Sequence, residues 1–257
     1  MIEISSLHKK IGYKTILKGI NLKIPEGKLI CLIGPNGAGK SSLLSLIAQL
    51  EKVEKGVIEL DNRDIRSYRL AEFSMKLAYL QQHNHLDLKL TVAELVAYGR
   101  FPYSKGRLTA NDHQIIEQTI GELNLKSLRN SFIDELSGGE RQRVFLAMIL
   151  AQDTPYILLD EPLNNLDMKH AVEIMQHCKN LVCTQGKTIL IVVHDINFAA
   201  NYADYIVGMK DGNLAFMLPT SQAIQADVLG KLFNIDFQII TSGVTVMCNY
   251  YFGKSRL

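Results

Sequence analysis

Hydrophobic residues follow two different spacings along the chain, and the changes between them divide it into three parts. Up to about residue 60, short apolar runs alternate with turns, as in MIEISSL, TILKGINLKI, LICLIG and GVIEL, and predict strands. From about residue 91, apolar residues recur at helical intervals in TVAELVAYG and TANDHQIIEQTIGEL, and Thr91 and Glu94 open the first of these with the spacing of a capping box. Near Pro155 the strand pattern returns. The pattern therefore predicts a mixed α/β chain with a helical middle part.

The last part of the chain carries the pattern of a parallel sheet. YILLD and TILIVV are apolar on both faces, which is typical of central strands covered by helices. MKHAVEIMQHCKNLVCTQG between them is predicted to be the crossover helix that parallel strands require. Beyond residue 211 we predict a strand in NLAFML, a helix in SQAIQADVLGKLF, and strands in DFQII and TVMCNYYF.

Composition and net charge limit the kinds of molecule that the protein is expected to bind. The 257 residues are 47% hydrophobic and 21% charged, as in an ordinary globular protein of one large domain or two lobes. A net charge of +2, without a long run of like charges, gives no electrostatic case for nucleic acid. Lys9, Lys10 and Lys14 are expected on a solvated face. No signal peptide or apolar stretch of about 20 residues is recognised, so we expect a cytoplasmic chain.

Cysteines and histidines do not form a recognisable metal motif. The cysteines lack CxxC spacing, and Cys31 inside LICLIG is predicted to be a small core residue. A group of three histidines could suggest a metal site, but it has no paired Cys or Glu at ligand spacing. They are His83, His85 and His113, and we expect them in solvated loop and helix positions.

A glycine-rich loop follows the strand LICLIG and precedes the helical run SLLSLIAQL. Its residues match the pattern G-x-x-x-x-G-K-[ST] and are Gly34, Pro35, Asn36, Gly37, Ala38, Gly39, Lys40 and Ser41, with Ser42 following. Backbone amides of such a loop surround phosphate oxygens, and the helix dipole favours the anion. Lys40 is predicted to neutralise β- and γ-phosphate oxygens and Ser41 to bind Mg²⁺. The alternative is a strand-turn-helix link that is merely rich in glycine.

Polar residues stand at the ends of two further buried strands. YILLD ends in Asp160, followed by Glu161, and TILIVV is followed by His194. Ligands of open parallel sheets bind beyond these strand ends, so the three ends are expected to open on one crevice. Adjacent strand residues point in opposite directions, so one carboxylate can hold Mg²⁺ while the other orients a water molecule. An acidic turn and a hydrogen-bonded core histidine are the structural alternatives.

LSGGERQR opens the apolar run VFLAMILA and predicts an unusual helix start. Ser137 and Glu140 have the spacing of a capping box, and Gly138 and Gly139 then occupy the first turn. Each glycine costs about 1 kcal/mol against alanine in a helix interior, which suggests that bare amides are wanted there. A helix N-terminus of this kind can bind phosphate. Because the P-loop already holds one side of a nucleotide, we expect this turn to close over the ATP of a second chain.

Together GPNGAGKS, LSGGERQR, YILLDEP and the histidine of VVHD resemble the nucleotide-binding subunit of an ABC transporter, in order and approximate spacing. The resemblance implies a P-loop NTPase (RecA-like) core with a small antiparallel β subdomain and an inserted helical subdomain. The core is expected over residues 1–85 and 156–257 and the helical subdomain over 86–155. Two copies are expected to sandwich two Mg²⁺-ATP molecules head to tail.

The resemblance also assigns roles to single residues. Tyr13 matches the aromatic residue that stacks on adenine, and Gln82 the glutamine that touches Mg²⁺ and links the two lobes. Gln81 stands where many relatives have proline, and the spacing after AYL favours Gln82. Glu161 matches the catalytic glutamate, and His194 the histidine that contacts γ-phosphate. The loop from Asn164 to Asp167 matches the one that contacts the partner subunit. The remaining residues expected at the nucleotide are Ser137, Gly138, Gly139, Glu140, Asp160 and Asp167.

ELVAYGRFPY and DEPLNNLDMKH resemble the importers of ferric siderophores, with haem and vitamin B12 importers as near relatives. The implied partners are a second copy, a membrane permease and, indirectly, a substrate-binding protein, at the cytoplasmic face of a bacterial inner membrane. The permease is expected to dock near Gln82 and the stretch from Leu86 to Tyr103. Alternatives are a soluble ATPase of iron-sulfur cluster assembly and a nucleic-acid ATPase, which usually has tandem domains or basic arms.

Overall fold

The computed structural model describes residues 1–82 and 88–251. Its strands are β1 (Ile2–Ile11), β2 (Lys14–Ile24), β3 (Leu29–Ile33), β4 (Lys55–Leu60), β5 (Arg63–Asp64), β6 (Leu77–Leu80), β7 (Tyr156–Asp160), β8 (Thr188–Val192), β9 (Tyr205–Lys210), β10 (Asn213–Pro219), β11 (Gln238–Ser242) and β12 (Thr245–Asn249). Its helices are α1 (Lys40–Ile47), α2 (Leu70–Ser74), α3 (Val92–Tyr98), α4 (Phe101–Ser104), α5 (Ala110–Glu122), α6 (Gly138–Ala151), α7 (Met168–Gln185), α8 (Ile196–Tyr202), α9 (Thr220–Ala223) and α10 (Ala226–Phe233). Short 3₁₀ turns cover Ile65–Ser67, Lys126–Leu128 and Ile133–Glu135.

The larger sheet carries the three strands that the sequence placed side by side. Within the described residues its order is β10-β9-β3-β8-β7-β6, and all neighbours except β10 and β9 run parallel. The adjacency of β3, β8 and β7 confirms the prediction that their carboxyl ends open on one crevice. Strands β6 and β9 were not assigned from the sequence.

Two cores lie on opposite faces of this sheet. Ile30 and Leu32 of β3 point into the core shared with α1 and the antiparallel sheet β2-β1-β4-β5. Leu29, Cys31 and Ile33 point into the core shared with the helices of the opposite face. Because neighbouring residues of a strand alternate between faces, a strand covered on both sides must be apolar throughout. The prediction that Cys31 is a core residue is confirmed.

Helices α3 to α6 lie between β6 and β7 in the chain, as the helical spacing predicted. The capping box of Thr91 and Glu94 at the start of α3 is confirmed, and Thr109 begins α5 in the same way. Arg100 and Asp112 form a buried ion pair within this region, and the Nε of Arg100 donates to Asp112 at 2.8 Å. The subdomain boundaries at residues 85/86 and 155/156 stay a prediction.

The C-terminal part departs from the prediction at one point. The single helix expected in SQAIQADVLGKLF is two helices, because Gln225 adopts an extended conformation between α9 and α10. The two last strands are confirmed and form the hairpin β11-β12. Asn201 of α8 donates to the carbonyl of Val246 at 2.7 Å and accepts from its N–H at 3.0 Å. Asn197, one turn earlier, accepts from the N–H of Cys248 at 2.7 Å.

The expectations for surface residues are met in part. Lys10 and Lys14 are exposed, but the prediction for Lys9 is wrong, because its side chain is only 11% exposed and pairs with Glu51. His113 is exposed on α5, whereas His83 and His85 lie outside the described residues. In the parts of the chain that the structure describes, no cluster of three or more His, Cys, Asp or Glu side chains suits a metal ion.

Candidate functional site

The glycine-rich loop forms the turn between β3 and α1, as predicted. Gly37 and Gly39 have φ values of +78° and +99°, which favour glycine. A Cβ on Gly34 would lie 2.0 Å from the carbonyl oxygen of Met209 in β9, and one on Gly39 would lie 2.7 Å from Leu17 Cδ2. Gly34 and Gly39 therefore let the loop pack closely against neighbouring strands, whereas Gly37 is favoured by its positive φ alone.

Lys40 begins α1 with its ammonium group turned back into the loop. It is 5% exposed, and its Nζ donates to the carbonyls of Gly34 at 2.8 Å and Pro35 at 3.1 Å. Burial lowers the pKa of Lys40, while the negative charges of Glu161 and Asp160 act in the opposite direction. A cation held in this way is available to anionic oxygens that approach the loop.

Asp160 ends β7 with its two carboxylate oxygens on different partners. Ser41 Oγ donates to Oδ1 at 3.1 Å, and the Tyr79 hydroxyl donates to Oδ2 at 3.4 Å. Burial raises the pKa of Asp160 despite these hydrogen bonds, and burial raises that of Tyr79 to about 12. Tyr79 was missed in the sequence, because the strand β6 that carries it was not assigned there.

Glu161 directly follows Asp160, and three other polar side chains surround its carboxylate. Gln82 Nε2 and Asn164 Nδ2 each donate to Oε2 at 2.6 Å, and His194 Nε2 lies 2.7 Å from Oε1. The backbone of Glu161 is left-handed, with φ of +53°, and the side chain is 8% exposed. The structure thus brings together Gln82, Glu161 and His194 from three segments, and it adds Asn164, which the sequence had assigned to a partner-contacting loop.

Several of these side chains, but not Asp160, Tyr79 or Asn164, line a cavity of about 370 Å³. Its lining residues are Lys14, Ile16, Asn36, Gly37, Gly39, Lys40, Ser41, Ser42, Gln82, Glu161 and His194. Lys14 and Ile16 were not among the predicted site residues. Tyr13, the predicted adenine contact, stands beside Lys14 in the turn between β1 and β2 with its side chain fully exposed. Its neighbour Lys14 lines the cavity but Tyr13 does not, and the expected role of Tyr13 in adenine stacking stays a prediction.

The turn from Ser137 to Glu140, called the signature turn from here on, begins α6 as the sequence predicted. Ser137 Oγ accepts from the N–H of Glu140 at 3.3 Å, and the Glu140 carboxylate accepts from the N–H and hydroxyl of Ser137 at 2.9 and 2.7 Å. A Cβ on Gly139 would lie 3.0 Å from the carbonyl oxygen of Asn165, whereas one on Gly138 meets nothing closer than 3.9 Å. Close packing against Asn165 therefore explains the glycine at position 139. No such contact explains Gly138, whose backbone is exposed.

The signature turn lines a second cavity, of about 620 Å³. Its lining residues are Ser137, Gly138, Gly139, Glu140, Arg143, Asn165, Leu166, Asp167 and His170. Asp167 caps α7 by accepting from the N–H of His170 at 2.9 Å. The two cavities have no lining residue in common. Within one chain, the phosphate loop and the signature turn therefore face different spaces.

A phosphate loop, a carboxylate pair at a strand end and an LSGGE turn in an α/β fold define the class of ATP-binding cassettes. The sequence profile of the ABC transporter family matches residues 17–164. The chain belongs to this family, as an ATP-binding, ATP-hydrolysing subunit.

Relatives and solved structures agree with that assignment. The chain is 46% identical over 241 residues to the petrobactin import ATP-binding protein YclP of Bacillus subtilis (strain 168), covering 94% of this chain and 96% of that protein. It is 38% identical over 245 residues to the iron(3+)-hydroxamate import ATP-binding protein FhuC of the same organism, covering 94% and 91%. A dimeric ATP-binding cassette with bound ADP and phosphate superposes with a TM-score of 0.77 at 32% identity, covering 86% of this chain and 99% of that one. The predicted fold class is confirmed.

Among the residues that the structure describes, none of the helices is long and apolar enough to cross a membrane.

Proposed function

We propose that the protein is the ATPase subunit of a bacterial importer that takes up a ferric siderophore through a membrane permease. The observation that carries the proposal is the separation of the phosphate loop and the signature turn into two cavities of one chain. A complete catalytic site then needs two copies, each closing its signature turn over the nucleotide of the other.

Within the proposed site, each residue acts by position and charge. Lys40 and the loop amides hold the β- and γ-phosphates, and Tyr13 stacks on the adenine. Glu161 accepts a hydrogen bond from the attacking water and orients it, while His194 contacts the γ-phosphate. Gln82 and Asn164 fix the Glu161 carboxylate through Oε2. Ser137, Gly138 and Gly139 of the second copy present a helix N-terminus to the same phosphate.

The site also fits a magnesium ion. Ser41 and Asp160 bring a hydroxyl and a carboxylate oxygen to 3.1 Å from each other, beside the cavity, and Gln82 lies on the same side. Mg²⁺ prefers oxygen ligands and is commonly held by one or two protein groups together with substrate phosphates. Ser41, Asp160 and Gln82 would hold it, and the ion would offset the charge that develops on the phosphate oxygens.

A groove on the helical part supports docking of a permease. It has a volume of about 360 Å³ and is lined by Leu90, Glu94, Ala97, Tyr98, Phe101, Ser104, Gly106 and Leu108. Tyr98 and Phe101 are 50% and 56% exposed, which is unusual for large apolar side chains. Five of these residues, from Leu90 to Phe101, fall in the stretch from Leu86 to Tyr103 that the sequence suggested for this contact, and the other three follow it directly. Leu86 itself lies outside the described residues. Such docking would place the protein at the cytoplasmic face of the inner membrane.

The cargo is supported by resemblance, since the transported molecule does not touch this subunit. The two relatives named above import petrobactin and iron(3+)-hydroxamate, which favours a ferric siderophore. Haem and cobalamin are the alternative cargoes, and a substrate-binding protein would deliver any of the three.

The test is uptake into proteoliposomes that contain the cognate permease, with ATP inside and a panel of ferric siderophores, haem and cobalamin outside. We expect uptake of one ferric siderophore, loss of uptake with Glu161→Gln, and stimulation of ATP hydrolysis by the permease. Phe101→Asp should abolish stimulation, whereas Leu70→Asp, a matched change at a 77% exposed residue outside the groove, should preserve it. Hydrolysis that ignores every permease, with binding to a soluble scaffold protein instead, would favour the iron-sulfur assembly alternative.

A further inference from the structure

The carboxylate of Asp160 is held from two sides, and only one side is explained by the proposed metal site. Ser41, which bonds Oδ1, is a proposed ligand of the ion and is the first residue after Lys40 in α1. Tyr79, which bonds Oδ2, comes from β6 and does not line the nucleotide cavity. Its hydroxyl can therefore keep its hold on Asp160 while Oδ1 and Ser41 turn toward a cation.

Tyr79 is itself held in place by α1. Its proton goes to Asp160, so its oxygen accepts from the Ser45 hydroxyl, which lies 3.4 Å away. Ser41 and Ser45 are one turn apart on α1 and therefore lie on the same face of the helix. The four side chains form a continuous network that ties the first turns of α1 to the end of β7.

The segment just after the strand that carries Tyr79 supplies a partner of the second carboxylate. Gln82, three residues further along, donates to Glu161. At the other end of β6, Gln152 at the C-terminus of α6 donates to the carbonyls of Ser74 at 2.6 Å and Leu77 at 3.3 Å. The edge strand β6 and the residues that flank it thus connect α6 with both acidic residues of the site.

We propose that Tyr79 is a positioning residue for the metal site, whose hydroxyl fixes Asp160 in the orientation that binds the divalent cation of the nucleotide complex. The inference rests on the proposed function. Hydrogen-bond partners of metal ligands typically contribute roughly ten- to a hundredfold in metal affinity, although they never touch the ion.

The experiment measures Mn²⁺ binding to the complex with a non-hydrolysable ATP analogue by electron paramagnetic resonance, which does not depend on turnover. Tyr79→Phe should weaken Mn²⁺ affinity roughly tenfold and leave the metal-free affinity for the analogue unchanged. Ser45→Ala should weaken it in the same direction by less, because it removes only the support of the tyrosine. Tyr68→Phe is the matched control, since its hydroxyl donates to the carbonyl of Leu60 at 2.8 Å, outside this network.

Mn²⁺ affinity of Tyr79→Phe and Ser45→Ala equal to that of the natural protein would overturn the inference and leave the proposed function standing. Failure of the natural protein to bind Mn²⁺ with the analogue would instead overturn the proposed function, and this inference with it. An equal loss in Tyr68→Phe would mean that the effect is a general loss of packing, and that result also overturns the assignment to Tyr79.

Discussion

Two regions of the molecule bury charged side chains, and they do so in opposite ways. In the helical part, the Arg100 and Asp112 side chains are 6% and 5% exposed and are fully provided with partners. Arg100 donates to Asp112 and to the carbonyl of Ala151, and Asp112 also accepts from the N–H and hydroxyl of Thr109. The hydrogen bond from the Thr109 backbone, together with the Arg100 guanidinium, lowers the pKa of Asp112 to about 2.

At the proposed nucleotide site, protein partners do not offset the cost of burying the charges of Lys40 and Asp160. The pKa of Lys40 is lowered and that of Asp160 is raised, so burial pushes each group toward its neutral form. The comparison separates two uses of buried charge. A pair that satisfies itself holds helices together, whereas charges destabilised by burial gain from a ligand of opposite charge.

The largest expected effect is on catalysis. Glu161→Gln keeps the shape of the side chain and removes the charge that orients the attacking water, so turnover should fall roughly 1000-fold. ATP should still bind, and size-exclusion chromatography with ATP should reveal a trapped dimer. Glu54→Gln, at an exposed position, is the control and should hydrolyse normally. Turnover of Glu161→Gln close to that of the natural protein would remove Glu161 from its assigned role.

The helical ion pair should matter for stability rather than for nucleotide binding. Arg100→Ala leaves the buried carboxylate of Asp112 without its cation, and we expect a loss of about 3 kcal/mol in the free energy of unfolding. Arg129→Ala breaks an exposed pair with Glu117, whose side chains are 45% and 49% exposed, and should cost less than about 1 kcal/mol. Urea unfolding without nucleotide compares the two. Equal losses would contradict the distinction between buried and exposed pairs.

The same pair predicts a pH dependence. Because the pKa of Asp112 is lowered in the folded protein, its stabilising contribution is present above its ordinary value of 3.8 and is lost as the pH falls toward about 2. Asp112→Asn should flatten the stability profile in that window. An unchanged acid-unfolding profile would show that folding does not lower the pKa of Asp112.

Lys40→Ala tests the cavity from the side of the ligand. Removal of the ammonium should weaken ATP binding by about 2 kcal/mol, roughly 30-fold, because a charge-assisted contact to phosphate is lost. Titration calorimetry gives the affinity, with Lys10→Ala at an exposed position as control. An affinity that does not change would count against the phosphate loop as the nucleotide site.

The smallest expected effect is a gain in the stability of the folded protein rather than a loss. Burial raises the pKa of Asp160, so folding disfavours its ionised form. The contribution of Asp160 to the stability of the folded protein is therefore fully present only below its ordinary pKa of 3.8 and is reduced at neutral pH. Asp160→Asn should therefore stabilise the nucleotide-free protein at pH 7 by about 1 kcal/mol, as often happens when a functional site is neutralised. The gain should vanish at acidic pH. Urea unfolding at both pH values checks this, and a loss of stability at pH 7 would refute it.

Much of the fold was accessible from sequence because its signals are local. The strands β3, β7 and β8 are continuous apolar runs, and the capping boxes at Thr91 and Ser137 need only a four-residue pattern. The break at Gln225 was missed because two short helices share one apolar spacing.

The site was only partly accessible, because its contacts join distant segments. The motifs located Lys40, Glu161 and His194, but the bond from Tyr79 to Asp160 spans 81 residues and no local pattern announces it. The pairing of Lys9 with Glu51 and the close approach of Gly139 to Asn165 depend in the same way on packing.

The amides of Asn197 and Asn201 on α8 have a consequence for assembly. They bond the outer backbone groups of β12 that a neighbouring strand would otherwise use. Exposed strand edges invite pairing between molecules, which leads to aggregates. By closing this edge with side chains, the protein denies other copies a route of association through the C-terminal hairpin. The proposed activity requires a second copy of the chain, and this arrangement blocks one unproductive mode of association between copies.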